Sequence, residues 1–281
     1  MQAEYEDLTI DADEKFRITL VNNTVLYVLA YTFVWATHTF VKIGLSQYLH
    51  LRGNWDVSKI VYTMADNEWW RLAIIAVNGI GPAACAGLAF VAYTWYWRRL
   101  RATRGLFKLL VLWIAFHGLN LSLGALLADN FTQTGFWFVP SWVFQMGNVP
   151  NVMVGIMAGI AQIAMGYFAG VAFLQAHDSK TVMRYQNRKR MVMYTLILPY
   201  LFGTGIICLS RLPLLSLGET LRLTTMILLV GPMSLGCLNE LFGSTVRGPK
   251  NTHVAWGMLG LSIILLMLWR LFLAPAVHFG S

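Results

Sequence analysis

The chain has 281 residues, of which 57% are apolar and only 12% charged, and its mean hydropathy is +0.57. A soluble domain carries about twice that fraction of charge, so a water-solvated globule is excluded. The net charge of +8 gathers beside apolar stretches and faces lipid, so a nucleic-acid partner is not expected.

The first 17 residues are acidic, with Glu4, Glu6, Asp7, Asp11, Asp13 and Glu14. Such a lead-in is unlike the positive n-region of a secretory signal. Residues 1–17 are expected to form a cytoplasmic tail, mobile or docked on a basic inner loop. Seven apolar stretches follow, at residues 18–41, 72–97, 106–128, 149–175, 191–212, 220–243 and 253–275. Each supplies the roughly 20 residues that a helix needs to cross hydrocarbon. The expected fold class is all-α: a polytopic helical bundle of about seven transmembrane helices, forming one membrane domain over residues 18–281.

The basic residues set the expected orientation. Arg98, Arg99, Arg101, Arg104 and Lys108 follow the second stretch. Lys180, Arg184, Arg188, Lys189 and Arg190 follow the fourth, and Arg247 and Lys250 the sixth. Lys and Arg are retained on the cytoplasmic side. The N-terminus is therefore expected inside and the C-terminus outside, in the inner membrane of a bacterium.

Within the stretches, polar residues and helix breakers are the candidates for function. The second carries Asn78 and then Pro82, the third His117 and Asn120, and the fourth Gln162. Counted along the helical rise of about 1.5 Å per residue, His117, Asn120, Asn78 and Gln162 reach similar depths and are expected to form one midplane cluster. Ionisable groups at such depth are costly and mark functional sites; the structural alternative is a neutral imidazole satisfied by amides or carbonyls. Pro82, Pro199 and Pro232 each interrupt a helical hydrogen bond and predict kinks, and residues 79–82 are candidates for local unwinding.

The fourth stretch also carries Gly155, Gly159, Gly166 and Gly170 on one helical face. Small residues let a second helix approach closely, which predicts a tight seam and a central helix. The aromatic-rich loop over residues 129–148 holds no Lys or Arg and is expected outside, as an interfacial belt or a short re-entrant dip. Cys85, Cys208 and Cys237 all fall within apolar stretches and read as packing residues, without disulfide or zinc spacing.

No cofactor is expected. His38 and His117 lie at levels roughly 12 Å apart by helical rise, too far for two opposed haem ligands. The order His38-Thr39-Phe40-Val41-Lys42, then Asn78-Gly79-Ile80-Gly81-Pro82, then Asn120 and Asp129 resembles the three-helix core of site-2 metalloproteases. That family carries His-Glu-x-x-His on its first core helix. Here Thr39 stands at the catalytic Glu and Lys42 at the second His, and the Asn-Pro-x-x-Asp-Gly element is absent. Zinc catalysis needs three protein ligands and an activating base, so the resemblance implies a scaffold without metal and without peptide-bond hydrolysis.

Other enzyme signatures are missing too, among them the Gly-x-Ser-x-Gly elbow and the phosphate-cradling glycine loop. The sequence thus favours a non-enzymatic membrane protein. It is either a small-solute or ion carrier using the midplane cluster, or a subunit packed against other membrane proteins or copies of itself. The alternative is a zinc-less member of the metalloprotease-like group or another membrane-embedded enzyme.

Overall fold

The computed structural model of the protein describes residues 11–145, 147–177, 182, 184–239 and 253–280. Glu4, Glu6, Asp7, Lys180, Glu240, Arg247 and Lys250 lie outside the described residues. Among those described, seven helices are long and apolar enough to cross a membrane: α1 (Ala12–Tyr48), α2 (Arg71–Leu100), α3 (Phe107–Thr132), α4 (Asn148–Gln175), α5 (Arg188–Arg211), α6 (Leu217–Leu238) and α7 (Trp256–Leu273).

Alternate helix ends meet on the same side of the bundle. At one end Asp13 of α1 pairs with Arg190 of α5 at 2.6 Å, and Arg188 donates to the Asn239 carbonyl after α6. Asn22 of α1 likewise donates to the His253 carbonyl and accepts from the Ala255 amide, joining α1 to the start of α7. At the other end the chain forms three short strands, β1 (Gly53–Trp55), β2 (Ile60–Tyr62) and β3 (Val277–Phe279). They pair antiparallel in the order β2-β1-β3, with Gly53 opposite both Tyr62 and Phe279. A Cβ on Gly53 would lie 2.8 Å from the Phe279 ring, so only glycine fits this crossing. The two ends are called here the arginine end, after Arg98–Arg104, and the sheet end.

The seven-helix expectation holds, with changes in length and position. Helix α1 starts at Ala12, six residues before the apolar stretch, because Asp13 and Glu14 sit in its first turn against the positive end of the helix dipole. It continues to Tyr48. Helix α3 runs through Asp129 to Thr132, so Asp129 is a helical residue rather than the first residue of a loop. Beyond it a short helix, Phe138–Phe144, lies at the sheet end, where Arg71 Nε donates to the Trp142 carbonyl at 2.9 Å.

The middle of the bundle belongs to α3. Of its apolar stretch 78% is buried, against 33% in α4. Trp113, Phe116 and Leu112 on α3 are fully enclosed, whereas α4 turns Met153, Met157, Ile160 and Phe168 outward. The glycine stripe therefore marks a seam and not a centre: glycines line one face only, and the other face is large and apolar. A Cβ on Gly166 would stand 2.5 Å from the Leu229 carbonyl oxygen, and one on Gly170 3.0 Å from the Cys237 amide nitrogen. Gly155 and Gly159 instead meet Asn130 and Leu127 of α3. In lipid, where water exclusion supplies no force between helices, such close approach is what holds α4 to α6.

The local unwinding expected at residues 79–82 does not occur. Helix α2 is continuous through residues 79–82. Pro82 has no N–H, so the Asn78 carbonyl one turn earlier loses its helical donor without unwinding. Pro199 follows a wide π-turn at Met193–Ile197, and Pro232 lies inside the second half of α6, after a turn at Thr225–Met226.

Candidate functional site

A cavity of about 440 Å³ lies at the sheet end, lined by residues of α1, α2 and α6, the β1–β2 hairpin and the segment after α3. Trp35, His38, Thr39 and Lys42 come from one side of α1, where spacings of three and four residues bring side chains onto a common face. Asn78 comes from α2, while Thr132, Thr134 and Gly135 close the side under the short helix. Ser58, Lys59, Ile60 and Tyr62 cover it from the hairpin. His38 fits because its neighbour is a glycine: a Cβ on Gly81 would fall 2.5 Å from His38 Nε2.

The start of α6 supplies the remaining wall. Ser216 caps the helix, its hydroxyl accepting from the Glu219 amide at 3.3 Å, as a Ser-x-x-Glu start predicts. Glu219 and Arg222 then face the cavity from successive turns. Both are held from behind. Arg211 Nη1 lies 2.7 Å from Glu219 Oε1, with both side chains at most 7% exposed, and the guanidinium covers the rings of Tyr31 and Trp35. Arg222 grips Asp129 through two parallel bonds of 2.8 Å. The Asp129 carboxylate also accepts from the Phe136 amide at 2.7 Å. Gly135, at φ +60°, makes that turn, and a Cβ there would meet both Asp129 and Arg222.

Lys42 and Lys59 complete the charges at the cavity. Neither has a carboxylate in salt-bridge range among the described residues; the Lys42 ammonium stands 5.5 Å from the centre of the Tyr62 ring. Burial pushes the Tyr62 phenol up to about 12, partly offset by its hydrogen bond with Ser46, so its hydroxyl stays protonated beside the ammonium.

The four polar residues expected at the midplane separate into three environments. Asn120 and Gln162 do meet: Gln162 Nε2 donates to Asn120 Oδ1 at 2.8 Å, and Thr225 Oγ1 donates to the same oxygen at 3.1 Å. Asn120 Nδ2 donates to the Arg222 carbonyl and Gln162 Nε2 to the Thr225 carbonyl, which serves the backbone where α6 turns. Asn78 is apart from them, at the cavity, its amide donating to the Ile74 carbonyl. His117 lies in an aromatic box, 4.4 Å from the ring centre of Tyr27, 5.4 Å from Tyr31 and 6.2 Å from Trp113.

Sequence reasoning missed Arg211, Glu219 and Arg222, which flank the break between the fifth and sixth stretches. The cap signature at Ser216–Glu219 and the i, i+3 spacing of Glu219 and Arg222 were the available signals. Lys42 reads in the sequence as the residue standing at the second metalloprotease His, not as a cavity charge.

His38 and Asn78 share the cavity, but the two Asp129 oxygens are taken by Arg222, and no three His, Cys, Asp or Glu side chains among the described residues come together as metal ligands would. Comparison of the chain with family models, curated proteins and solved structures finds no match.

Proposed function

We propose that this chain is an integral membrane protein that binds a small solute in the sheet-end vestibule and carries it across the bilayer. The observation behind this reading is the convergence of polar side chains from three helices and a hairpin on one cavity of about 440 Å³, in a bundle whose outer faces are apolar. Ligand cavities of small molecules fall in the same range, roughly 300–1,000 Å³. With Lys and Arg retained inside, the arginine end is cytoplasmic and the vestibule takes its solute from the opposite side. A discontinuous helix beside the site is the usual partner of alternating access, and α6, with its turn at Thr225–Met226, is the candidate for that role.

The alternative, a packing subunit, assigns partner binding to the glycine stripe and the outer aromatics. The stripe is filled by α3 and α6 of the same chain, which leaves the exposed aromatics Phe131, Trp142 and Phe144 as the surface for a partner. Solute flux into liposomes carrying the purified protein tests the carrier reading. Asn78→Leu should reduce flux while leaving the protein folded, whereas His117→Phe should leave flux unchanged. Flux that depends on His117 and ignores Asn78 would return the site to the midplane.

A further inference from the structure

We infer that the solute of the vestibule is a small oxyanion bearing two negative charges, held between Lys42 and Lys59. The inference rests on the carrier reading and adds the chemical class of what is carried.

Charge accounting at the cavity wall leads to it. Three cationic side chains line the cavity, Lys42, Lys59 and Arg222, against one carboxylate, Glu219. Two of these four charges are answered by partners that do not line it: Arg211 binds Glu219 and Asp129 binds Arg222. The ammonium groups of Lys42 and Lys59 remain, without a carboxylate in salt-bridge range among the described residues. Like charges facing one cavity repel, and Lys42 is half-buried, where that repulsion is weakly screened. A ligand with two negative charges removes the repulsion and forms two charge-assisted hydrogen bonds. A cation would meet two ammonium groups, and a neutral solute would leave both unanswered.

The other groups suit oxygens as well. The guanidinium edge of Arg222, whose side chain is 27% exposed, supplies further donors, and the Asn78 amide also lines the cavity. Carboxylates and phosphates share this chemistry. A free dianion and a phosphomonoester lipid headgroup are its two sources.

The test uses the full chain in phosphatidylcholine nanodiscs, with sodium succinate, sodium phosphate, glucose and putrescine as probes. Melting temperature and calorimetric binding are read at ionic strength matched with sodium chloride. Succinate or phosphate should bind and raise the melting temperature, and Lys42→Gln and Lys59→Gln should each weaken binding by about tenfold or more, as loss of a hydrogen bond to a charged group does. Lys59 is exposed, so its variant stays folded even if the Lys42 variant does not. Competition by phosphatidic acid nanodiscs, whose phosphomonoester can carry two charges, against succinate keeps the oxyanion class and overturns the free solute, and with it the carrier reading. Binding of glucose or putrescine that Asn78→Leu abolishes overturns the anion but leaves the vestibule standing. Anion binding unchanged in the Lys42→Gln, Lys59→Gln double variant, or no response to either anion beyond that of sodium chloride, overturns the inference.

Discussion

Arg222 and Asp129 are 93 residues apart in the chain, and their side chains meet through two parallel bonds of 2.8 Å beneath the vestibule. The pair joins the end of α3 to the start of α6. Through the Phe136 amide it also fixes the turn that brings Thr134 and Gly135 to the cavity wall. Breaking a buried pair leaves one charge uncompensated, which costs more than the pair itself contributes. Asp129→Asn and Arg222→Gln should each destabilise the protein by about 3 kcal/mol, with the double variant well short of the sum. Denaturant titration in detergent measures this; additive losses would show that the two side chains do not act as a pair.

The seam between α4 and α6 is a second point of high sensitivity. Gly166→Ala puts a methyl group 2.5 Å from a backbone oxygen, which cannot move as a side chain can. A loss of about 1–3 kcal/mol follows from overpacking. Gly205→Ala, with nothing within 4 Å of the added carbon, is the matched control and should be near neutral. Equal melting temperatures for the two variants would mean that the helices separate freely.

Orientation is checked by labelling. With Cys208 replaced by Ala and the other two cysteines buried, Ser141→Cys should react with an impermeant maleimide added outside intact cells. Ala102→Cys should react only after permeabilisation. The reverse pattern would invert the bundle in the membrane.

Stability should fall in mild acid through His177, just beyond α4. Burial, with Lys108 nearby, holds this imidazole well below its usual range, at about 3. The folded protein therefore resists a proton that the unfolded chain accepts near pH 6.5. The His177 contribution is complete above pH 6.5 and is lost as pH falls from there towards 3. Between pH 6.5 and pH 5 the loss approaches about 2 kcal/mol. His177→Gln should flatten the dependence of melting temperature on pH over that window; a slope equal to that of the unaltered protein would rule the residue out.

His117 gives the contrasting case. Its neighbours are the rings of Tyr27, Tyr31 and Trp113 and the Tyr27 backbone, with which it shares a hydrogen bond, so Phe keeps the ring contacts and loses only that bond. His117→Phe should change the melting temperature little, while His117→Ala should lower stability by about 2–4 kcal/mol through the cavity it opens. A large loss in the Phe variant would point to an essential polar role for the imidazole.

The number of spanning helices and the existence of a tight glycine seam were legible in the chain. The span signal is local: a bilayer demands a fixed length of apolar residues with their backbone bonds satisfied internally. The seam on α4 was legible for a similar reason, since Gly155, Gly159, Gly166 and Gly170 share a face by helical period alone. Which helix stands in the middle was not, because the stripe says where a neighbour comes close and not how many neighbours there are. Depth alone grouped His117 and Asn78 with Asn120 and Gln162. Depth is one coordinate, and rotation about each helix axis separated them.

The sequence by itself thus determined the helical spans and the small-residue face, because both follow from periodicity and from the bilayer as solvent. Only the tertiary structure decided that Lys42 and Lys59 share a cavity, that Arg211 and Asp129 neutralise Glu219 and Arg222, and that the C-terminal strand closes the sheet beside them. Those relationships join residues up to more than 200 positions apart. They depend on how seven helices rotate and pack together, which no local pattern encodes.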